Sequence, residues 1–203
     1  MNKRLQQHQN LNLQQGPKYP GVNISIGAVI DEKNGPVLIG HGSRICHGVV
    51  LEGPVVIGSN CLIGNYTFIR AGTFLGNDVR TGFAAEIKGS VIEDGVRIGP
   101  QCFIADSVLE PRVYLGAQVR TSNHRLDGRT ISVHVGNQII DSGREKLGCL
   151  IGADSALGVQ VIILPGRIIQ PGTRLAPRIT VERNLPVGDY RLRQELINVE
   201  RKS

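Results

Sequence analysis

Glu52, Arg70 and Lys88 recur at an interval of eighteen, and each directly follows an aliphatic residue: Leu51, Ile69 and Ile87. Arginine offers a planar fork of donors matched to phosphate, and lysine adds a compact positive charge. Two such cations brought together would suit a phosphorylated small molecule. If they only share a surface with Glu52, the result is an exposed ion-pair stack worth under about 1 kcal/mol. A second chemical signal is His124, a side chain able to take a proton near neutral pH, beside Asn123. The alternative for His124 is an exposed loop histidine.

What must position these residues is a repeat of six. Ile39, Ile45, Leu51, Ile57, Ile63, Ile69, Leu75 and Ile87 keep the interval, with Thr81 as the one lapse. Two residues earlier stands a small or β-branched partner: Val37, Ser43, Val49, Val55, Cys61, Thr67, Thr73, Val79 and Ala85. Six is no multiple of the helical period, whereas residues two apart share one face of a strand. Each hexad therefore reads as one short strand and a turn, and stacked repeats of this kind bury a continuous core.

Taken in order, residues 1–20 form a polar, Gln-rich arm, expected to be loose or to cap the open end. Val22, Ile24, Ile26 and Ile30 begin the first coil, and Asp31-Glu32-Lys33-Asn34-Gly35 is a turn insertion. The coils occupy 21–186, with five-residue steps from Ile87 to Ile92 and from Ile104 to Leu109. An excursion interrupts them over 123–148, where Gly136-Asn137 between two apolar runs predicts a hairpin. An ordered insertion of that length is more often functional than idle. In the last segment, 187–203, Leu192, Leu196 and Ile197 have helical spacing, which predicts a short C-terminal helix over Tyr190–Val199.

The aliphatic-Gly-x-x-small-x pattern resembles the hexapeptide-repeat acyltransferase superfamily. That resemblance implies an all-β, left-handed parallel β-helix in which three hexads close a triangular coil of eighteen residues. Glu52, Arg70 and Lys88 would then stack on one corner. Phe68-Ile69-Arg70-Ala71-Gly72 and Ala85-Glu86-Ile87-Lys88 are similar to the acetyltransferase domain of bifunctional glucosamine-1-phosphate acetyltransferase/uridylyltransferases. Asn123-His124-Arg125-Leu126-Asp127 and Asp141-Ser142-Gly143-Arg144-Glu145-Lys146-Leu147-Gly148 resemble archaeal-type sugar-1-phosphate nucleotidylyltransferases. By resemblance, Arg70 and Lys88 hold the sugar phosphate and Asn123 lies near the acetyl group. The donor is acetyl-CoA, and the assembly is a homotrimer with sites between prisms. Arg174 and Arg178 are the candidates to meet coenzyme A phosphates. The family's general base falls at Pro100 and a nearby family tyrosine at Phe103, so His124 is the substitute base. The implied function is acetyl transfer to a sugar phosphate or nucleotide-linked amino sugar. The alternative is a non-catalytic trimer that binds sugar phosphate or serves as a scaffold.

Composition narrows the rest. The net charge of +6 comes from scattered cations without interleaved aromatics, so nucleic acid is not an expected partner. Cys61, Cys102 and Cys149 occupy small inward slots, and no cysteine pair has ligand spacing, so no metal is expected. His41 and His47, one hexad apart, fall on different sides. With no apolar run long enough for a membrane and no apolar leader, the expected location is cytoplasmic. Residues 1–30 hold no Gly-rich nucleotide loop, which excludes nucleotidyl transfer by this segment.

Overall fold

An inward aliphatic residue and a small one two positions earlier can fill a narrow prism only if every hexad forms one wall. In the computed structural model, which describes residues 18–136 and 138–195, each does. Strands of two or three residues alternate with turns, and equivalent strands of successive coils pair in parallel. Face one is a nine-stranded sheet from Asn23–Ile24 to Asp189–Tyr190. Face two is eight-stranded, from Val29–Asp31 to Thr180–Val181, and face three is seven-stranded, from Val37–Ile39 to Ile168–Ile169. The result is a parallel β-solenoid of about nine turns, the architecture of a left-handed β-helix.

The core is the ladder expected from the hexads: Ile45, Leu51, Ile63, Ile69, Leu75, Ile87 and Ile92 are all fully buried. The lapse at Thr81 has a chemical reason. Its hydroxyl accepts the Gly64 N–H at 2.9 Å and meets the Thr67 hydroxyl at 3.1 Å, so a buried polar pair replaces one methyl-lined rung. The corners are tight enough to require glycine: a Cβ on Gly58 would lie 2.5 Å from the Gly76 oxygen of the next coil. Three buried thiols sit in the small slots. Burial pushes Cys61 and Cys102 up to about 11 and Cys149 up to about 12.

Two five-residue steps shorten the middle coils, so that Phe74 pairs with Val91 and Val91 with Val108 at intervals of seventeen. The excursion leaves after Arg120–Thr121 and returns at Leu150–Ile151, and its hairpin pairs Ser132–Val135 with Gln138–Asp141 as expected. Face three is apolar on both sides. Its outward column runs Leu38, Val56, Phe74, Val91, Val108, Leu150, Ile168 in unbroken register.

The structure corrects two expectations. Ile26 is not part of the first coil's core: it is fully exposed at a corner, and Val22, Ile24, Ala28 and Ile30 line the interior instead. The C-terminal helix does not form in the described part of 187–203. Asp189–Tyr190 is a strand that pairs with Arg174–Leu175 and extends face one by a rung, where Tyr190 packs against the core. A strand there satisfies the open edge of the sheet, an obligation that helical periodicity does not register. Residues 196–199 of the expected helix, and the arm before Lys18, lie outside the described residues.

Candidate active site

The corner between faces two and three gathers the predicted residues. Strand register places Glu52, Arg70 and Lys88 one above another, because Leu51 pairs with Ile69 and Ile69 with Ile87. Arg70 Nη1 lies 3.1 Å from Glu86 Oε1, and its Nε lies 3.9 Å from Glu52 Oε2. The guanidinium also stands 5.6 Å from the centre of the Phe68 ring. Lys88 Nζ is 3.6 Å from Asp106 Oδ2, and that same oxygen accepts Asn123 Nδ2 at 2.5 Å. Asn123 is thereby tied to the ladder through a residue that the hexad count did not single out.

The five-residue step from Ile87 to Ile92 sets Ala105 opposite Lys88, so Asp106 stands one place further, at the turn beside Lys88. Its backbone N–H donates to the Lys88 oxygen at 3.0 Å, and its own oxygen accepts Gly148 N–H at 2.9 Å. Gly89 makes the room, since a Cβ there would lie 2.6 Å from Asp106 Oδ1. The side chains of Lys88 and Asp106 are only 21% and 24% exposed, so their attraction is less screened than that of a surface pair. The only signal for Asp106 in the sequence was the five-residue spacing around it.

The excursion is built on this corner. Leu147 N–H donates to the Asn123 oxygen at 3.0 Å, and Ile131, buried at the hairpin root, exchanges backbone hydrogen bonds with Arg144 and Ser142. Asn184 Nδ2 donates to the His134 oxygen at 2.9 Å, which holds the hairpin against the C-terminal coils. His134 is thus a hairpin residue whose backbone anchors the loop. His124 is exposed, bridges Lys146, and has Nδ1 3.2 Å from the Glu145 oxygen. It borders a mostly apolar hollow of about 540 Å³ with Leu126, Ile131, Leu164 and Pro165. On the rim, Arg125 and Asp127 form a bidentate pair, which holds the Asp127 carboxyl well below its usual range.

Other candidates do not join this cluster. Pro100 lies at the opposite corner, between faces one and two, where its oxygen accepts Gln118 N–H. Phe103 pairs directly with Glu86 on face two, as Phe68 does from the other side. Arg174 faces outward from face one, 3.8 Å from Asp189, and Arg178 sits on the Pro100 corner. Arg167 is half-buried at the start of face three. Burial and the neighbouring Arg125 both disfavour its charge, and its Nε donates to the Pro165 oxygen. His41 and His47 lie on different corners, against Gly21 and Gly27.

The bacterial transferase hexapeptide family (six repeats) matches residues 36–71. The chain is 61% identical over 180 residues to an uncharacterized acetyltransferase, YaiX, of Escherichia coli O6:K15:H31, covering 89% of this chain and 78% of that protein. The chain belongs to the hexapeptide-repeat acetyltransferase family. It is also 36% identical over 156 residues to a bifunctional sugar-1-phosphate nucleotidylyltransferase/acetyltransferase of Sulfurisphaera tokodaii, which covers 77% of this chain and 39% of that protein. In this chain, the corner from Arg70 to Asn123 is the place where repeat, excursion and charged side chains coincide.

Proposed function

We propose that this family member transfers an acetyl group from acetyl-CoA to a sugar phosphate or nucleotide-linked amino sugar. The observation that carries the reading is the link from Lys88 through Asp106 to Asn123, one coil beyond Arg70 on the same corner, at the point where the excursion leaves the coil. Arg70 and Lys88 hold the acceptor's phosphate, exchanging part of their carboxylate contacts for it. The Asn123 amide orients the acetyl carbonyl. His124 takes the proton from the attacking group, since a ring nitrogen of imidazole can accept one. The donor's thioester carbon accepts the attack and the thiol of coenzyme A leaves.

The apolar outer column of face three supports assembly as a homotrimer. A face that is apolar on both sides reads as one covered on both sides, and a half-buried apolar column of that length suits an interaction surface. The reactive corner lies along one edge of this face, so a neighbouring prism would flank it.

Pro100 favours a second reading, a trimer that binds the sugar phosphate without turning it over. Proline has no proton acceptor, and its position serves a corner hydrogen bond. The deciding experiment follows thiol release from acetyl-CoA with a panel of hexosamine phosphates, for the native chain and for His124→Gln. Turnover that His124→Gln abolishes while acceptor binding persists supports the transferase. Acceptor binding with no turnover in the native chain supports the second reading, and turnover unchanged in His124→Gln removes that residue from the mechanism.

A further inference from the structure

The charges of the Arg70 corner do not sum to a strong anion site. Two cations, Arg70 and Lys88, face three carboxylates, Glu52, Glu86 and Asp106, all within ion-pair distance. An incoming phosphate must compete with each of them. The corner between faces one and two has the opposite balance near its C-terminal end. There Gln118, Arg120, Gln160, Ile162 and Arg178 line a hollow of about 450 Å³, with no carboxylate among its lining residues. Arg120 and Arg178 are both exposed and form no ion pair with a described residue.

Local geometry explains why these groups converge. Gln101, Gln118, Gln160 and Arg178 hold the same corner position in successive coils, each in the left-handed region, at φ 57°, 60°, 61° and 65°. Gln160 Nε2 donates to Gln118 Oε1 at 2.8 Å, and Gln118 Nε2 donates to Gln101 Oε1 at 2.9 Å. Each amide nitrogen has two hydrogens, so each of these donors keeps one that the ladder does not use. Arg120, on face two between Phe103 and Ile162, turns its guanidinium toward the same corner, where Nη1 donates to the Gln101 oxygen at 3.3 Å. The hollow therefore presents two guanidiniums without a carboxylate partner among the described residues, and spare amide N–H groups, beside the apolar edge of Ile162. Neighbouring coils are about 4.8 Å apart, so the two arginines stand two rungs apart, roughly 10 Å. Once Arg120 releases the Gln101 oxygen, two long side chains can close that gap on one phosphate or pyrophosphate group.

We propose that this hollow, built by Arg120, Arg178 and the Gln118–Gln160 amide ladder, is a phosphate-binding site separate from the Arg70–Lys88 corner. It takes the phosphate or pyrophosphate group of a small organic molecule, either the nucleotide end of an acyl donor or a phosphorylated acceptor. Bidentate guanidinium donors suit this group, and the absence of a carboxylate leaves them available. The site deepens the acetyltransferase reading by adding a second anion contact, but its binding can be measured without any turnover.

Titration calorimetry with inorganic pyrophosphate on the full chain tests the assignment. Arg178→Gln is a mild change, because glutamine already fills that position in the three preceding coils, and Arg120→Gln is a change on an exposed strand face. Each should weaken pyrophosphate binding about tenfold. The double variant should show no saturable binding, while its thermal melt matches the native chain. Arg97→Gln, on the exposed side of face one, should shift the affinity less than twofold, and Arg70→Gln alone should not abolish binding. Competition then identifies the source: displacement by coenzyme A assigns the hollow to the donor, and displacement by a hexosamine 1-phosphate assigns it to the acceptor. Native affinity in the double variant, loss confined to Arg70→Gln, or no pyrophosphate binding by the native chain would each overturn the site. A chain that binds pyrophosphate through Arg120 and Arg178 but releases no thiol loses the acetyltransferase reading and keeps the site.

Discussion

Asp106→Asn probes the joint between the repeat and the excursion with the least collateral change. Asp106 stands at φ 49°, a conformation that asparagine adopts more readily than most residues, so the substitution removes charge without adding backbone strain. Its backbone bonds to Lys88 and Gly148 remain. What is lost is the attraction between Lys88 Nζ and Asp106 Oδ2 across 3.6 Å, with side chains 21% and 24% exposed. At an effective dielectric constant of about 20 the gross Coulomb term is roughly 4–5 kcal/mol. Desolvation of both groups offsets most of it, leaving a net effect of about 1–2 kcal/mol. A double-mutant cycle with Lys88→Met, read by urea unfolding, isolates that term. A coupling of about 1 kcal/mol or more is expected, together with faster proteolytic cleavage inside the excursion, because Asn123 then loses a charge-assisted bond. A coupling below about 0.3 kcal/mol, with cleavage unchanged, would refute the claim that Asp106 ties Lys88 to the loop.

Gly148→Ala should disrupt the return of the excursion, because a Cβ there would lie 2.0 Å from Ser107 Oγ and 2.1 Å from the Ala105 oxygen. Overpacking of that kind costs about 1–3 kcal/mol, and a melting temperature equal to the native chain's would contradict it. The buried thiols predict alkaline sensitivity with a definite sign. Cys61, Cys102 and Cys149 have folded values raised from an ordinary value of 9.0 to about 11, 11 and 12, so their contribution is intact below pH 9. It is lost as pH rises through the folded values, by about 1.4 kcal/mol per thiol for each unit above 9. Urea midpoints that fail to fall between pH 9 and 11, or that fall equally in a Cys61→Ala/Cys102→Ala double variant, would sink this account.

The solenoid was legible because its determinant is local and repeated: each rung needs one aliphatic and one small residue, and the chain states that requirement in almost every hexad. The lapse at Thr81 was visible, but its partner Thr67 was not, since their hydroxyls meet only when one coil lies on the next. The last rung was misread for a related reason. Leu192 and its neighbours have a helical spacing, but Asp189–Tyr190 answers to the unpaired edge of Arg174–Leu175, which exists only in three dimensions. Arg70 and Lys88 were found by counting in eighteens. Asp106 was missed because the short steps had already changed the count to seventeen.

That change of count also decides what the reactive corner can be. With an unbroken interval of eighteen, the position after Lys88 on this ladder would be residue 106, directly above it; with seventeen it is Ala105, and Asp106 swings one place toward the turn. There its carboxylate stands beside Lys88 rather than on top of it and still reaches Asn123. Glu86, meanwhile, is fixed between Phe68 and Phe103 by the same strand register and takes up one edge of Arg70. The corner thus holds its cations in place with carboxylates, which positions them well and weakens them as anion traps. A ligand bearing both an ammonium and a phosphate fits that balance better than a simple anion. An amino sugar phosphate should therefore gain affinity over its non-amino counterpart at this corner, and lose that advantage in Glu86→Gln.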